Sequence, residues 1–179
     1  MLFNTEPSDV LERARAVRLL LLDVDGVLTA GELYLSDSGE EIKAFNTLDG
    51  QGIKLLQGSG IAVGILSGRT SKLLSKRAEN LGIRILIQGR EDKREALDEL
   101  CASQGFTPDT IAYVGDDLPD IRVLKHVRLG FAVCNAHGSV KAVAHAQTEV
   151  PGGAGAVREI CDFILQAQGL YDDAIAPYQ

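Results

Sequence analysis

The sequence predicts an α/β fold built on a doubly wound parallel sheet, in a single domain that spans residues 1–179. The first observation is the four-leucine run 19–22, which is typical of a strand buried on both faces of a parallel sheet. The second is the regular alternation of short apolar runs with helix-length segments along the chain. The third is that acidic or hydroxyl residues directly follow several of these runs, where open α/β sheets bind their ligands.

Periodicity and turn residues predict the elements in order. A helix over 10–16, which Ser8 or Asp9 could cap, precedes the leucine strand. Alternation on both sides of Gly39 predicts a β-hairpin flap over about 32–45, and Asn46 or Asp49 could cap the helix that follows it. Further strands are predicted at 61–66, 84–87, 110–114, 129–133 and 147–150, and further helices at 71–81, 91–103, 119–126, 139–145 and 157–168. The C-terminal tail, about 170–179, has no strong helix signal and is expected to be mobile.

Composition excludes several classes of protein. The formal net charge of -7 argues against a nucleic-acid partner. Cys101, Cys134 and Cys161 are far apart and odd in number, which predicts reduced thiols instead of disulfides or a zinc site. No apolar run approaches the roughly 20 residues of a membrane span, and the N-terminus lacks a signal-peptide core. We therefore expect a soluble cytoplasmic protein without a membrane partner.

The candidate catalytic residues lie at the ends of the predicted strands. Asp23 and Asp25 project to the same side of an extended chain, so both should face one crevice. Several bare carboxylates there would repel one another, and a hard divalent cation resolves that conflict. Oxygen ligands favour Mg²⁺ over zinc, and His126, His137 and His145 are interpreted as surface or structural residues. The full set at this edge is Asp23, Asp25, Ser67, Lys93, Asp116, Asp117 and Asp120.

Other readings of these patterns are weaker. A calcium loop needs glycine at its sixth position, whereas Gly26 is fourth in Asp23-Val24-Asp25-Gly26. A receiver-like signalling module would carry its phospho-acceptor aspartate after the third strand, where Ile87-Gln88-Gly89 has none. A P-loop is excluded because the glycine-rich segment 152–155 lacks the following Lys-Ser/Thr pair.

Four segments together resemble a known family. They are Asp23-Val24-Asp25-Gly26-Val27, Leu66-Ser67-Gly68-Arg69, Lys93, and Gly115-Asp116-Asp117-Leu118-Pro119-Asp120, and in this order they resemble the four motifs of the haloacid-dehalogenase-like phosphatases. The resemblance continues through Lys43-Ala44-Phe45-Asn46, Asp49-Gly50-Gln51-Gly52 and Gly155-Ala156-Val157-Arg158-Glu159. Over nearly the whole chain the sequence resembles the 3-deoxy-D-manno-octulosonate 8-phosphate phosphatases of lipopolysaccharide synthesis. Leu48 and Ala154 stand where that family often carries arginines.

The resemblance implies a Rossmann-like, haloacid-dehalogenase-like fold and a magnesium-dependent phosphatase. Asp23 would be the nucleophile, forming an aspartyl-phosphate, and Asp25 would be the acid and base. Magnesium would be held by Asp23, the backbone carbonyl of Asp25 and Asp116. Asp117 and Asp120 would orient the waters around the metal, and Ser67 and Lys93 would hold the phosphoryl oxygens. The nearest alternative is a phosphatase of a related 2-keto sugar acid, such as a sialic-type 9-phosphate. A dehalogenase is disfavoured because a halide leaving group needs no acid.

Substrate selection and assembly are the remaining expectations. The segments between the motifs are filled by the hairpin, helices and a strand, which leaves no room for a cap domain. Hairpins that pair between subunits would close the crevice, and the resemblance implies a homotetramer built in that way. The Gly152–Gly155 loop and Arg158 are expected to help complete a neighbouring subunit's site. The candidate contacts for the phosphorylated sugar acid, besides Asp25 and Lys93, are Asn46, Thr47, Leu48, Asp49, Gly50, Lys54, Arg69 and Arg77, the last two sharing one helix face.

Overall fold

The structure, a computed structural model, describes all 179 residues and contains one seven-stranded sheet and a separate β-hairpin. The sheet order is β1-β9-β8-β7-β2-β5-β6, and β3 pairs with β4 alone. The strands are β1 (Leu2–Phe3), β2 (Leu19–Leu22), β3 (Tyr34–Leu35), β4 (Glu41–Ile42), β5 (Ala62–Leu66), β6 (Ile85–Ile87), β7 (Ile111–Gly115), β8 (Leu129–Ala132) and β9 (Ala146–Gln147).

Helices connect these strands, as the prediction of a doubly wound sheet requires. The α-helices are α1 (Pro7–Arg15), α2 (Thr47–Gly58), α3 (Lys72–Leu81), α4 (Lys93–Gln104), α5 (Ile121–Leu124), α6 (Gly138–Lys141), α7 (Ala156–Ala167) and α8 (Tyr171–Ile175). None of them has the length and apolar character needed to cross a lipid bilayer.

The leucine strand β2 lies inside the sheet and forms the middle of the core. It pairs in parallel with β5 on one side and β7 on the other, with Leu19 opposite Ala62 and Ile111. All four leucines are fully buried. This arrangement confirms the predicted parallel sheet, and it fixes the residues that follow Leu22 at the sheet's carboxyl edge.

The far edge of the sheet differs from the prediction. β1, which was not predicted, pairs antiparallel with β9, placing Leu2 opposite Gln147. The last strand ends at Gln147 instead of continuing to Val150, because the backbone N–H groups of Glu149 and Val150 donate to the Glu159 carboxylate. A side chain therefore takes the place of a strand partner at this point.

The caps predicted for the first helix are wrong, and of the two candidates for the second helix only Asn46 is the cap. α1 begins at Pro7 after Glu6, so Ser8 and Asp9 lie inside its first turn. α2 begins at Thr47 and is capped by Asn46, whose Oδ1 accepts from Leu48 N at 2.8 Å. Asp49 also lies within the first turn, where it is buried and accepts from Arg158 N at 2.9 Å. Where a segment contains several residues that could cap a helix, tertiary contacts decide which of them becomes the cap.

Two short helices and the tail also depart from the prediction. The segment predicted as a helix over 119–126 is a 3₁₀ turn over Leu118–Asp120 followed by α5, and α6 ends at Lys141. The tail is ordered as α8 and a 3₁₀ turn over Ala176–Tyr178. Gln51 Nε2 donates to Tyr178 Oη at 2.8 Å, and several apolar tail residues pack against the core. The expectation of a mobile tail is therefore wrong for this structure.

Candidate active site

A polar crevice of about 630 Å³ opens at the carboxyl edge of the sheet, beside the ends of β2, β5 and β7. Parallel strands direct their C-terminal residues to the same edge, so residues distant in sequence meet there. Apart from two glycines and one proline, every lining residue is charged or carries a hydroxyl group. The lining residues are Asp23, Asp25, Gly31, Ser67, Gly68, Arg69, Glu91, Lys93, Asp116, Asp117, Pro119 and Asp120.

Asp23 and Lys93 form a buried ion pair at the base of the crevice. Lys93 Nζ lies 2.8 Å from Asp23 Oδ1. Lys93 can reach Asp23 because it is the first residue of α4, which Asp92 caps by accepting from Arg94 N and Glu95 N. Burial lowers the pKa of Lys93, but Asp23 and Asp120 more than offset that effect, so the pKa is raised overall. Lys93 is therefore a permanent positive charge beside Asp23.

Asp120 fixes the position of Lys93 and of the neighbouring loop. Its Oδ1 lies 2.7 Å from Lys93 Nζ and accepts from Tyr113 Oη at 2.6 Å. Its Oδ2 accepts from the backbone N–H groups of Asp116 at 2.9 Å and Asp117 at 3.2 Å. Both oxygens are thus engaged by protein donors. The structure places Asp120 as a support for Lys93 and for the loop that carries Asp116.

Asp116 presents an oxygen that has no donor of its own. Asp116 Oδ1 is buried and lacks a hydrogen-bond partner. Burial, then the charges of Asp23 and Asp120, raise the pKa of Asp116 to about 8. Burial and Asp120 likewise raise the pKa of Asp23 to about 6, although Lys93 opposes the shift. Two carboxyl groups with raised pKa values and one orphaned oxygen indicate that a positive charge is needed here.

These residues fit a hard divalent cation. One ligand atom each from Asp23, Asp116 and Asp120 lies within 4.8 Å of the others. Carboxylate oxygens suit Mg²⁺. Because Asp120 already accepts from four donors, Asp23 and Asp116 are the side chains left to bind an ion. The turn geometry also requires Gly26, whose φ is 96° and whose Cβ, if present, would lie 2.0 Å from Asp116 Oδ2.

The Asp25 carboxylate does not belong to this acidic group. It contacts Lys43 Nζ, and its Oδ2 lies 3.6 Å from Arg69 Nε. Glu41 completes the cluster, with its Oε1 3.1 Å from Arg69 Nη2 and 3.4 Å from Lys43 Nζ. Glu41 and Lys43 were not among the predicted site residues. Their spacing of two in a predicted strand, which puts both on one face, was the signal that could have found them.

Ser67 and Asp117 also line the crevice. Ser67 is buried, and its Oγ accepts from Arg69 N at 3.2 Å, which holds the loop after β5 in a tight turn. Asp117 is exposed and its Oδ1 accepts from Leu118 N at 2.8 Å. Glu91, at the crevice wall, was also missed, since an acidic residue before a helix is usually a solvated one.

Of the predicted sugar-acid contacts, Asp25, Arg69 and Lys93 line the crevice, and the others lie outside it. Arg77 Nη2 donates to Asn46 O at 3.1 Å, and its guanidinium lies 5.6 Å from the Phe45 ring centroid. Gly50 lets Arg77 approach, because a Cβ there would lie 2.5 Å from Arg77 Nη2. Arg69 and Arg77 do not share a helix face, since α3 begins at Lys72. Thr47 and Leu48 are exposed on the first turn of α2, and Lys54 borders a separate cavity beside the tail.

The Gly152–Gly155 loop contacts the turn that follows Asp25 in its own chain, which is called the catalytic turn below because of the proposed role of Asp25. Gly153 N donates to Val27 O at 2.9 Å, and Gly152 N donates to Asn135 Oδ1 at 3.0 Å. A Cβ on Gly152 would lie 1.7 Å from Gly26 O. Arg158 pairs with Asp162 at 2.8 Å. The loop therefore braces the turn after Asp25, and its expected role at a neighbouring site stays a prediction.

Comparison with known proteins agrees with this geometry. Residues 86–160 match the haloacid dehalogenase-like hydrolase family. A 3-deoxy-D-manno-octulosonate 8-phosphate phosphatase from Yersinia pestis is 49% identical over 166 residues, which cover 93% of this chain and 89% of that protein. The chain belongs to the 3-deoxy-D-manno-octulosonate 8-phosphate phosphatase family. The counterpart from Escherichia coli (strain K12) is 46% identical over 167 residues, which cover 93% of this chain and 89% of the relative.

Solved structures of members of the phosphatase family share the fold. A probable phosphatase of the YrbI family from Pseudomonas syringae pv. phaseolica superposes with a TM-score of 0.94 at 50% identity, covering 96% of this chain and 97% of the other. A 3-deoxy-D-manno-octulosonate 8-phosphate phosphatase from Moraxella catarrhalis gives a TM-score of 0.95 at 39% identity, covering 97% of this chain and 100% of the other. That second structure is a complex with magnesium, phosphate and KDO. The expected capless haloacid-dehalogenase-like fold is confirmed.

Proposed function

We propose that the enzyme hydrolyses 3-deoxy-D-manno-octulosonate 8-phosphate to the free sugar acid and phosphate, in a reaction that depends on Mg²⁺. The observation that carries the proposal is the arrangement around Asp23. Its carboxylate stands at the end of β2 near Lys93 and Asp116, in a crevice lined mainly by charged side chains. This is a site for a compact anion. Membership in a family whose named relatives act on this sugar phosphate supports the choice of substrate.

The first step transfers the phosphoryl group to Asp23. A carboxylate oxygen of Asp23 forms a bond to phosphorus while the bond between phosphorus and the sugar oxygen breaks. Asp25 gives its proton to the departing alkoxide, so the sugar leaves as an alcohol. Lys93 and Ser67 stabilise the charge that develops on the phosphoryl oxygens. The product of this step is an aspartyl-phosphate on Asp23.

The second step regenerates the enzyme. Asp25, now a carboxylate, takes a proton from a water molecule, and that water attacks phosphorus. The bond between phosphorus and the Asp23 oxygen breaks, which releases phosphate and restores the carboxylate. Magnesium held by Asp23, Asp116 and the backbone carbonyl of Asp25 would neutralise the carboxylates and the bound phosphate in both steps. Asp117, at the rim, is suited to orient water around that ion, and Asp120 acts through Lys93 and the loop of Asp116.

The identity of the sugar acid depends on groups beyond the crevice. Among the residues that line the crevice, Arg69 is the only cation besides Lys93. Arg69 is already paired with Asp25 and Glu41. The carboxylate of the sugar therefore needs further donors, and we propose that the first turn of α2, Asn46 to Gly50, supplies them to an adjacent subunit. A sialic-type 9-phosphate remains the second candidate because both substrates present a 2-keto acid.

A homotetramer is the assembly that we propose. The hairpin of β3 and β4 stands apart from the main sheet and exposes four large apolar side chains. Their exposed fractions are 47% for Leu33, 53% for Tyr34, 66% for Leu35 and 63% for Ile42. Hairpins that pair between subunits would bury this surface and exclude water from the crevices. We place the reaction in the cytoplasm, where the three free cysteines stay reduced.

A substrate panel tests this function. The purified enzyme is assayed with 3-deoxy-D-manno-octulosonate 8-phosphate, a sialic-type 9-phosphate and ribose 5-phosphate, and the three are ranked by kcat/KM. We expect the first to rank highest, and we expect Asp23→Asn to abolish turnover of all three while leaving the circular dichroism spectrum unchanged. Appreciable turnover by Asp23→Asn would refute the nucleophile. A higher rank for the nine-carbon substrate would refute the substrate but not the chemistry.

A further inference from the structure

The hairpin contributes a buried lysine to the group that the mechanism uses as acid and base. Lys43 follows β4 directly, and only 3% of its side chain is exposed. Its ammonium contacts Asp25 Oδ1. A lysine at the end of a two-stranded hairpin is normally solvated, because its charge is strongly hydrated. The burial of this lysine against Asp25 therefore calls for a function.

The contact is part of a four-residue cluster that joins three separate segments. Asp25 belongs to the turn after β2, Glu41 and Lys43 to the hairpin, and Arg69 to the loop after β5. Lys43 holds one oxygen of Asp25, and Arg69 Nε lies 3.6 Å from the other. Glu41 Oε1 lies 3.4 Å from Lys43 Nζ and 3.1 Å from Arg69 Nη2, so it faces both cations. When Asp25 is ionised, as it is between the two steps of the reaction, the two positive and two negative charges of the cluster balance.

This geometry sets the orientation of the Asp25 carboxylate. Rotation of the side chain would break its contact with Lys43, and that contact is anchored on a segment outside the catalytic turn. Acid–base catalysis requires the proton-bearing oxygen to lie within hydrogen-bond reach of the leaving oxygen and, later, of water. An orienting group can therefore control the rate without contacting the substrate.

We propose that Lys43 is a positioning residue that aligns Asp25 for proton transfer, so that the hairpin is part of the acid–base machinery as well as an assembly surface. The proposal rests on the phosphatase mechanism given above. Lys43 itself forms no bond to the substrate and exchanges no proton. Its effect should be confined to those steps in which Asp25 gives or takes a proton.

Two substrates separate those steps. Departure of a sugar alkoxide needs a proton, whereas 4-nitrophenolate, from 4-nitrophenyl phosphate, is stable enough to leave without one. Rapid-quench single-turnover measurements would follow the formation of the aspartyl-phosphate from each substrate. For Lys43→Met we expect transfer from the sugar phosphate to slow by about tenfold or more, because a positioned acid contributes roughly 10²–10⁴-fold. Transfer from 4-nitrophenyl phosphate should stay within about threefold of the native rate, whereas hydrolysis of the intermediate should slow for both.

Matched variants complete the test. Lys43→Arg keeps the charge and should recover most of the rate on the sugar phosphate. Lys76→Met removes an exposed lysine on α3 that forms no ion pair. Its rates of phosphoryl transfer and of hydrolysis of the intermediate should equal those of the native enzyme with both substrates. Glu41→Gln removes the negative charge that faces both Lys43 and Arg69 without altering Lys43, and it should show a smaller loss with the same substrate dependence. If Lys43→Met fails to fold, as judged by circular dichroism and light scattering, Glu41→Gln carries the comparison.

The remaining outcomes would overturn the proposal. If Lys43→Met slowed phosphoryl transfer to Asp23 equally from the two substrates, Lys43 would serve the general structure or phosphate binding. Activity at or above the native value in Lys43→Met would show that the lysine does not help Asp25. In each case the native enzyme must hydrolyse the sugar phosphate and Asp23→Asn must not. Failure of that control would refute the proposed function. If the control holds but the variants do not show the expected difference between the two substrates, the role of Lys43 is refuted.

Discussion

Lys93 Nζ lies 2.7 Å from Asp120 Oδ1, and both side chains are almost completely buried. The pair stands directly behind Asp23, the proposed nucleophile, because the same ammonium also contacts Asp23. A buried charge pair of this kind stabilises poorly on average, but the loss of one partner leaves the other uncompensated. The contact between Lys93 and Asp120 therefore contributes to the stability of the fold and also holds the positive charge of Lys93 beside Asp23.

We expect Asp120→Asn to lower the free energy of unfolding by about 3 kcal/mol, since an amide cannot accept from all four of the present donors. Its kcat should fall as well, because Lys93 loses its support. Urea unfolding and steady-state kinetics measure the two effects. Asp98→Asn removes an exposed partner of Arg94 and should cost at most about 1 kcal/mol. Equal stability of the two variants would contradict the role of Asp120.

Cation binding should release protons. The pKa values of Asp116, about 8, and of Asp23, about 6, mean that the cation-free site retains protons near neutral pH. Calorimetry of Mg²⁺ binding at pH 7 in buffers of different ionisation enthalpy should therefore show net proton release, and the affinity should rise as the pH increases from about 6 to 8. Asp98→Asn should release the same number of protons. A binding enthalpy that is independent of the buffer would refute the raised pKa values.

The same pKa values predict how stability depends on pH. The folded, cation-free protein binds more protons than the unfolded chain, whose carboxyl groups have ordinary pKa values near 3.8. Stability should thus be highest, as far as these two groups decide it, below about pH 4 and should decline as the pH rises to about 8. Thermal unfolding with and without Mg²⁺ measures this trend. The stabilisation by Mg²⁺ should grow with pH, and a constant increment would contradict the assignment.

Gly152→Ala should disturb the catalytic turn from a distance in sequence. The new methyl group would lie 1.7 Å from Gly26 O, so either the loop or the turn after Asp25 must shift. We expect a loss of about 1–3 kcal/mol in stability and a fall in kcat that exceeds the change in KM. Gly58→Ala is the control, because a Cβ there meets nothing within 4 Å. Native kinetics in Gly152→Ala would show that the loop yields without moving the turn.

The hairpin predicts a link between assembly and turnover. Replacing Leu33 and Leu35 together with lysine should give smaller species in light scattering and a lower kcat/KM for the sugar phosphate. The matched control is Leu73→Lys on α3, which removes an apolar side chain that is 39% exposed outside the hairpin. A monomeric native enzyme, or a small double variant with full activity, would contradict the proposed tetramer.

The sequence predicted which acidic residues meet at the carboxyl edge of the sheet, because the signals for that edge are local. A run of four leucines followed by Asp23 and Asp25 requires no knowledge of distant partners, and the same holds for the segment after β7. Features that depend on distant residues were harder to predict. β1 exists because Leu2 and Phe3 meet β9, more than 140 residues away, and Asp49 is buried because Arg158 reaches it. Lys43 looked like an ordinary surface lysine until the fold brought it to Asp25.

The scarcity of apolar side chains in the crevice has a consequence for inhibitor chemistry. Ligands usually gain most of their affinity by burying hydrophobic side chains, and Pro119 is the only apolar side chain that lines this site. Uncharged ring compounds should therefore bind weakly there, while vanadate, fluoride complexes and other oxyanion mimics should compete well. Such anions cross lipid membranes poorly. A permeable inhibitor would do better to target the exposed leucines and tyrosine of the hairpin, where it would block the proposed contact between subunits instead of competing for the phosphate site.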